Sequence, residues 1–413
     1  MRILVYPHDL GMGGSQLNAI EIAGKVRDLG HEIVVFGHPG TLNSRVAELG
    51  LEFIASPRPR RRPTPTIIAE LRRLTAIRRL DVLHGYEWPP ILEANVACAG
   101  LAARAVGTVM SMSVAPFLPR QMLLAVGTEQ IAEVERNAGR TNVTVIEPPV
   151  DTEGNAPDPQ KAAQFRQEWG LADDSLVVVV VSRLAHEMKL EGILTAIAVT
   201  AELDGCAQLV IVGDGPATDE VDQAVALANR RAGRTAVVRT GELYDPRPAY
   251  AGADVVLGMG GSALRALAFA KPLIVQGERG FWRTLCPTSL PDFLWTGWYG
   301  VGEGVATGPD RLRSQLQPLL SNPLERARLG NFGRDLVVSR YSLQAAAVRQ
   351  IELYEASLAA PPQLLVDLRS SLEAAISFSS FTAGRVISGW RGTRRTDDFN
   401  AQPALIRDRR EQT

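Results

Sequence analysis

Five consecutive valines, Val177 to Val181, constrain what this chain can fold into more than any other stretch. The run is too short to cross a membrane and too β-branched for a comfortable helix, so it predicts a central strand buried on both faces. Such a strand needs helices above and below it, which is the arrangement of a parallel sheet. The rest of the chain repeats the pattern. In residues 1–150 the apolar runs RILVY at 2–6, EIVVFG at 32–37, EFIAS at 52–56, DVLHG at 81–85, TVMSMS at 108–113, LLAVGT at 123–128 and VTVIE at 143–147 read as strands. They alternate with helical stretches from about Gln16, from about Thr66, after Pro90 and from Glu129. The segment 147–160, EPPVDTEGNAPDPQ, is dense in Pro, Asp and Gly and reads as a linker.

After the linker the alternation restarts. A helix near 160–169 leads into the valine strand and a helix from about Lys189, then QLVIVGDG at 208–215, a helix from about Thr218 and AVVRTGE at 236–242. A short helix ending near Gly252, DVVLGMGG at 254–261, a helix from Ser262, PLIVQG at 272–277 and a last strand DFLWTG at 292–297 complete the series. Each half is therefore expected to be a Rossmann-like α/β unit. Residues 309–359 read as wholly helical, and the last helix, 342–360, stops against Pro361 and Pro362. A short helix is expected over about 363–376, and disorder from Arg391 to Thr413. The expected domains are 1–150, 151–340, a helix over 341–360 and a helical and disordered tail over 361–413.

Composition excludes several classes. At 413 residues, with 46% hydrophobic and 22% charged, the chain can bury two or three cores and is neither disordered nor low-complexity. The 44 basic residues nearly balance the 45 acidic ones, so any anion site must be local, and no nucleic-acid partner is expected. Cys98, Cys206 and Cys286 are far apart and odd in number, against a disulfide framework or a paired zinc site. A reducing, cytoplasmic setting is expected, as is a protein without a membrane span or signal peptide. No HExxH, no paired Cys/His spacing and no GKS/T loop is present, so no metal is expected.

Three stretches could carry chemistry. In HDLGMGGSQLNAIEIA at 8–23, Gly11, Gly13 and Gly14 precede a helix that Ser15 could cap; this suits phosphate or a sugar hydroxyl, or is an ordinary tight turn. In VSRLAHEMKLEGI at 181–193, Arg183 follows the valine strand and Lys189 opens the next helix. Ligands of open α/β sheets bind beyond the carboxyl ends of the strands, where two cations would stabilise a leaving diphosphate. The alternative is a solvated pair bridged to Glu187 or Glu191. In DVVLGMGGSALRALAFAKPLIV at 254–275, Gly258, Gly260 and Gly261 with the N–H groups of Ser262 and Ala263 form a second anion cradle.

With these stretches the chain resembles the family 4 glycosyltransferases, retaining enzymes of the GT-B fold that use nucleotide sugars. The matching segments are GMGGSQ, VVVVVSRL with the lysine that follows, VIVGDGP at 210–216, RTGEL at 239–243, YAGADVVLGMG at 250–260 and ALAFAKPLIV at 266–275. The resemblance implies an α/β GT-B architecture, two Rossmann-like domains facing across a cleft, and metal-independent transfer of a hexosyl group from a nucleotide-diphosphate sugar without a bound cofactor. The acceptor would be a small molecule, a glycan or a glycolipid. Arg183 and Lys189 would hold the diphosphate as the catalytic pair. Gly13, Gly14, Gly260, Gly261, Ser262 and Arg265 would contact the donor, Gly241 and Leu243 of the RTGEL turn would border the base, and the helix at 342–360 would cross back onto the first domain.

The chain departs from that family at three positions. The usual Glu-x7-Glu pair falls on Leu257 and Arg265, and the histidine often found near Ser113 is absent. His84 is the nearest alternative imidazole, although a lone His at a strand end also suits a structural role. Without the carboxylates, a catalytically silent homologue that binds nucleotide or carbohydrate, or supports a partner enzyme, is the rival reading. A sugar-nucleotide 2-epimerase would need more acidic and histidine residues. The arginine cluster in RPRRRPTP at 58–65, with Arg72, Arg73, Arg78 and Arg79 after it, reads as a mobile loop near the acceptor side rather than a membrane contact. The aromatic group Phe281, Trp282, Trp295, Trp298 and Tyr299 reads as core packing rather than a stacking platform.

Overall fold

The computed structural model describes residues 1–59, 62–172, 175–203, 207–361, 373–374 and 376–382. They divide into two compact units, Met1–Pro149 together with the chain from Leu343 onward, and Val150–Ser342.

The first unit begins with β1 (Arg2–Tyr6), α1 (Gly14–Asp28), β2 (Glu32–Gly37), α2 (Asn43–Glu48), β3 (Glu52–Ala55) and α3 (Pro65–Arg78). It continues with β4 (Val82–Tyr86), α4 (Trp88–Cys98), β5 (Arg104–Val109), β6 (Leu124–Val126), α5 (Glu129–Asn137) and β7 (Val143–Val145). The strands form one sheet in the order β3-β2-β1-β4-β5-β6-β7 with every pairing parallel. Ile3 and Val5 lie in one apolar core and Leu4 and Tyr6 in another, the period of two that a sheet covered on both faces requires. The strand expected at 108–113 instead starts at Arg104 and stops at Val109. Beyond it the Met110 N–H and the Ser111 hydroxyl turn out of the sheet to the Glu87 carboxylate, so Ser111 and Ser113 belong to a loop. Helix α2 has six residues, too few for a readable helical period.

The second unit contains α6 (Pro159–Glu168), β8 (Leu176–Val181), α7 (Leu190–Ala201), β9 (Ala207–Val212), α8 (Thr218–Ala232), β10 (Val237–Gly241) and α9 (Arg247–Gly252). Then follow β11 (Val255–Gly258), α10 (Gly261–Ala268), β12 (Leu273–Gln276), β13 (Trp282–Thr284), α11 (Leu290–Thr296), α12 (Gly308–Ser321) and α13 (Pro323–Arg340). The sheet order is β10-β9-β8-β11-β12-β13, parallel except for β13, which runs antiparallel to β12. The valine run sits at its centre. Val177 and Val179 enter the core that holds Tyr250 and Phe269, while Val178 and Val180 enter the opposite core with Ile193 and Ile197. Each of these four valines is at most 1% exposed, and burial of such a side chain contributes about 1.5–3 kcal/mol.

The strand expected at 292–297 is instead part of α11. Pro291 fits the first helical turn, where no N–H partner is needed, and Gly297 ends the helix in a left-handed conformation at φ 78°. The aromatic segment nearby is largely core: Trp282, Trp298 and Tyr299 are buried, Trp298 stacks on Phe293, and Trp295 alone of the three tryptophans is exposed. Val150 and Ser342, the two ends of this unit, form a parallel bridge, with the Val150 N–H donating to the Tyr341 carbonyl at 2.8 Å.

Helix α14 (Leu343–Ala359) then packs in the first unit, where Ala346, Ala347, Leu353 and Tyr354 share a core with Ala19, Ile20 and Ala23 of α1. Further on, Phe378 and Phe381 pack against Phe117. Most of the expected helix at 363–376, the tail from Arg391 and Cys206 lie outside the described residues, and Cys98 and Cys286 are free thiols. Among the described residues no helix is long and apolar enough to cross a membrane.

Candidate functional site

In each sheet the strand order reverses beside the first strand, between β1 and β4 in the first unit and between β8 and β11 in the second. Loops diverge at such a switch point and leave a crevice at the carboxyl ends of the strands.

At the second unit's switch point, Arg183 leaves β8 with an exposed side chain and Lys189 caps α7 after a turn in which Met188 takes a left-handed φ of 64°. A non-glycine residue there costs about 1–3 kcal/mol and persists only where its surroundings enforce it. The enforcement is visible. The Leu190 N–H donates to the Ala185 carbonyl at 3.1 Å, and Gln276 Nε2 at the end of β12 donates to the Lys189 carbonyl at 3.2 Å. Among the described residues neither cation forms a side-chain hydrogen bond or ion pair. Burial lowers the Lys189 ammonium pKa to about 8, with the carboxylate of Glu278 opposing the shift.

The bridges considered from sequence are not made. Glu191 accepts from the backbone N–H groups of Arg279 and Gly280 at 3.0 and 2.6 Å, and among the described residues Glu187 forms no hydrogen bond or ion pair with either cation. Tyr299 donates its hydroxyl to Glu278, which fixes that carboxylate beside the β12 exit. The sequence reading missed this Glu278–Tyr299 pair; the only signal was an acid just past the strand PLIVQG.

The β11 exit supplies donors. Gly260 precedes α10 at φ 53° and ψ −130° and gives its N–H to the Trp298 carbonyl at 3.0 Å. A side chain at Gly260 or Gly261 would meet no atom within 4 Å, so space lies open over the first turn of α10. The Ser262 hydroxyl turns back on Met259, donating to its carbonyl at 3.2 Å. On the other side of β8, a Cβ at Gly213 would lie 1.9 Å from the Ser182 carbonyl oxygen and one at Gly215 2.4 Å from that of Leu184. These contacts clamp the β9 exit against the loop that carries Arg183. Gly241, at φ 77°, accepts from the Gly213 N–H at 2.8 Å, and Leu243 packs on the core. Arg265 is partly buried on α10, near enough to Tyr250 for its charge to be felt there. Leu257 is wholly enclosed in the apolar core, where its position carries no polar group.

The first unit's switch point differs in charge. His8 follows β1 at φ 74°, and Glu87 follows β4 at φ 65°. His8 Nδ1 lies 2.7 Å from Asp9 Oδ2, and the other Asp9 oxygen accepts the Gly11 N–H at 2.9 Å. Hydrogen bonding from His8, then from Gly11 and Gln16, lowers the Asp9 pKa to about 2 against the opposing effect of burial.

Gly13 is the residue before α1, and its extended backbone carries no side-chain cap, while a Cβ at Gly14 would meet nothing within 4 Å. Ser15, read from sequence as the cap, instead donates its hydroxyl to Glu87 Oε1 at 2.9 Å. Glu87 also accepts from the Met110 N–H at 3.0 Å and the Ser111 hydroxyl at 2.8 Å. Burial raises its pKa, and these donors act against the rise. Neither Asp9 nor Glu87 was singled out in the sequence. The readable trace of Glu87 was an acid between the strand DVLHGY and the helix-opening WPP.

The surroundings of His84 fit the structural alternative. It is fully buried, its Nδ1 lies 2.8 Å from the Tyr354 hydroxyl and its Nε2 2.7 Å from the Thr108 hydroxyl, so neither ring nitrogen can meet a substrate. Burial lowers its pKa to about 3. Ser113 is buried in the loop after β5. Four arginines of the cluster are likewise tied down. Arg62 bonds both the Tyr6 hydroxyl and the buried Glu93 carboxylate at 2.6 Å, Arg72 donates to the Ala97 and Ala99 carbonyls, and Arg73 and Arg78 pair with Glu70 and Glu52. Arg60 and Arg61 lie outside the described residues. No group of three or more His, Cys, Asp or Glu able to hold a metal ion occurs among the described residues.

Comparison with known proteins places a family match in the second unit. Residues 175–284 match the family model for glycosyl transferases group 1. A 199-residue stretch, 47% of this chain, is 25% identical to the alpha-D-kanosaminyltransferase of Streptomyces kanamyceticus and spans about half of that protein, 49%. Among solved structures, a glycosyltransferase from Rickettsia africae superposes with a TM-score of 0.69 at 15% identity, over 87% of this chain and 99% of that one. The Anabaena protein HepE, solved with UDP and glucose, gives 0.69 at 16% identity over 86% and 99%. Sucrose-phosphate synthase from Thermosynechococcus elongatus gives 0.67 at 17% identity over 87% and 100%. At these identities the structures establish the fold, which is GT-B.

Proposed function

We propose that this chain, a family 4 (group 1) glycosyltransferase with the GT-B fold, transfers a hexosyl group from a nucleoside-diphosphate sugar to an acceptor hydroxyl with retention at the anomeric carbon. The observation that carries the reading is Lys189, a largely desolvated ammonium that feels the charge of Glu278 but forms no side-chain hydrogen bond or ion pair among the described residues, at the switch point it shares with Arg183 and the first turn of α10. A buried cation left unpaired is costly unless an anion joins it. A diphosphate supplies that anion, and the N–H groups of Gly261 and Ser262 suit its oxygens.

When the bond from the anomeric carbon to the diphosphate oxygen breaks, negative charge grows on the leaving group, and Lys189 and Arg183 stabilise it there more than in the ground state. The acceptor oxygen bonds to the same face of the anomeric carbon, and its proton passes to the departing diphosphate. Such a route needs no protein nucleophile. The solved complexes of HepE with UDP and glucose, and the kanosaminyl activity named for the Streptomyces relative, support a sugar nucleotide of this kind.

One observation favours a second reading, a silent homologue that binds donor without turnover: Leu257 and Arg265 stand where the family resemblance places carboxylates. A thermal-shift screen against UDP, GDP, ADP and TDP tests donor binding, since a ligand at about 100 times its Kd adds roughly 2.7 kcal/mol to native stability. One diphosphate should raise the midpoint, and Arg183→Ala should weaken that ligand about tenfold, the worth of one charge-assisted contact, without lowering the midpoint of the ligand-free protein. No shift with any of the four would overturn the reading. Binding without transfer to any hydroxyl acceptor would select the silent homologue.

A further inference from the structure

A partly enclosed ammonium with no anion bonded to it tends to lose its proton, and a lysine that has lost its proton cannot hold a diphosphate. We propose that Glu278 and Tyr299 are positioning residues for Lys189: the Tyr299 hydroxyl holds the Glu278 carboxylate near enough to favour the ammonium and too far to pair with it, so the cation stays charged and open to an arriving anion. The inference rests on the transferase reading above for the identity of that anion and assigns how the site is kept ready for it.

The carboxylate is carried by a backbone fixed on two sides. The Glu278 N–H donates to the Gly300 carbonyl at 3.0 Å and the Glu278 carbonyl accepts from the Gly302 N–H at 2.8 Å, which makes a parallel bridge between Glu278 and Val301. The two segments approach closely, since a Cβ at Gly277 would lie 1.9 Å from the Gly300 carbonyl oxygen. Glu191, in the first turn of α7, grips the same loop by the N–H groups of Arg279 and Gly280, and Gln276 ties the end of β12 to the Lys189 carbonyl. Glu278 is thus fixed to the helix that Lys189 caps. Tyr299 then fixes its side chain, donating the phenolic hydroxyl to Glu278 Oε2. The tyrosine is anchored in turn, because the carbonyl of Trp298 before it accepts the Gly260 N–H ahead of α10 at 3.0 Å.

The other charged groups nearby are committed or turned to solvent. Arg183 and Glu187 are exposed on the loop before Lys189, Glu191 gives both oxygens to backbone N–H groups, Arg279 is exposed and donates to the Glu303 carbonyl, and Arg265 lies on α10. Glu278 is the group whose charge is felt at the Lys189 ammonium, where it opposes the effect of burial. The two nevertheless form no ion pair among the described residues. An opposite charge at that range favours the protonated lysine without a contact that a ligand must first break. Burial, the bond to Glu278 and the more distant charge of Glu191 push the Tyr299 hydroxyl pKa far up, so it remains a donor at every pH at which Lys189 titrates. Released from that hydroxyl, Glu278 is free to close on Lys189, and a diphosphate then has a competitor for the cation.

The chain has four lysines, Lys25, Lys161, Lys189 and Lys271, so NMR of the full-length protein carrying carbon-13 at lysine Cε gives four titrations, and the signal missing from Lys189→Met is that of Lys189. In the ligand-free wild type it should titrate near pH 8. Glu278→Gln should move that midpoint down by about one unit and Tyr299→Phe up by about one unit, the size of one nearby charge lost or brought into contact. The double variant should follow Glu278→Gln, because without the carboxylate the tyrosine has nothing to hold off. Donor affinity is measured with the glucose conjugate of whichever of UDP, GDP, ADP and TDP the thermal screen selects. It should fall about tenfold at pH 7 in Tyr299→Phe, where Glu278 competes for the cation, and in Glu278→Gln its pH dependence should move down with the Lys189 midpoint. A Lys189 midpoint unmoved in Glu278→Gln, midpoints displaced in the same direction by the two single variants, or a loss of affinity equal at every pH in both would overturn the proposal. Midpoints that move in opposite directions in a protein that binds none of the sugar nucleotides would uphold it and overturn the transferase reading instead.

Discussion

Replacing Lys189 by methionine should make the ligand-free protein more stable while abolishing its hold on the donor. Lys189→Met keeps an unbranched stem that can fill the same space and removes the charge. The ammonium pKa falls from 10.5 to about 8 on folding, with desolvation as the main cause. At about 1.36 kcal/mol per pKa unit this bounds the penalty at roughly 3 kcal/mol, and residual contact with solvent reduces the expected gain to about 1–2 kcal/mol at pH 7. The sign follows from proton counting. Between pH 8 and 10.5 the unfolded chain binds the proton and the native one releases it, so wild-type stability rises with pH across that window and the advantage of the variant shrinks.

Urea unfolding of both proteins at pH 7 and near pH 10 measures the difference. Donor binding carries the opposite dependence: with a sugar nucleotide, whose diphosphate does not titrate in this range, affinity should fall about tenfold between pH 7 and pH 9 as Lys189 loses its proton. A variant less stable than wild type at pH 7, a stability difference indifferent to pH, or a variant that binds the donor with wild-type affinity would refute the reasoning.

Two further outcomes follow from buried side chains. His84 is kept neutral in the native state, with a pKa near 3, and gains a proton on unfolding at its ordinary value, so stability should fall by about 1.36 kcal/mol per unit as pH drops from about 6.5 toward 3. His84→Gln should flatten that slope in a urea series without altering the diphosphate thermal shift. Leu257→Glu, which restores a carboxylate at the position the family resemblance marks, should cost on the order of 3–5 kcal/mol and lower the thermal midpoint rather than create a sugar-binding group, because its surroundings are wholly apolar.

The parallel sheets were legible because their signal is local. A run such as Val177–Val181 fits neither a membrane nor a solvated helix, and the structure divides its side chains between the two cores of one sheet. The errors arose where a short apolar run could belong to either period. DFLWTG alternates well enough for a strand, but Pro291 and Gly297 bound it as the helix α11, and TVMSMS contains strand and loop because Met110 and Ser111 are drawn to Glu87. The cations of the second switch point could be found from the end of the valine strand alone. Glu87, Asp9 and Glu278 could not, since what distinguishes them from other surface acids is a backbone angle or a partner distant in sequence, such as Ser15 at 72 residues from Glu87.

The bridge between Val150 and Ser342 bears on how the chain acquires its shape. The second unit enters and leaves through two bridged residues, so it is an insertion whose ends are already together, and it can close while the remainder is still being made. The first unit cannot. Its core keeps an open face over Ala19, Ile20 and Ala23 until α14 arrives from beyond the insertion, and domains otherwise tend to fold in the order of synthesis. The amino-terminal half of this protein is thus the last to be finished, and a chain cut before Leu343 would retain a complete second unit beside a first unit that lacks a wall.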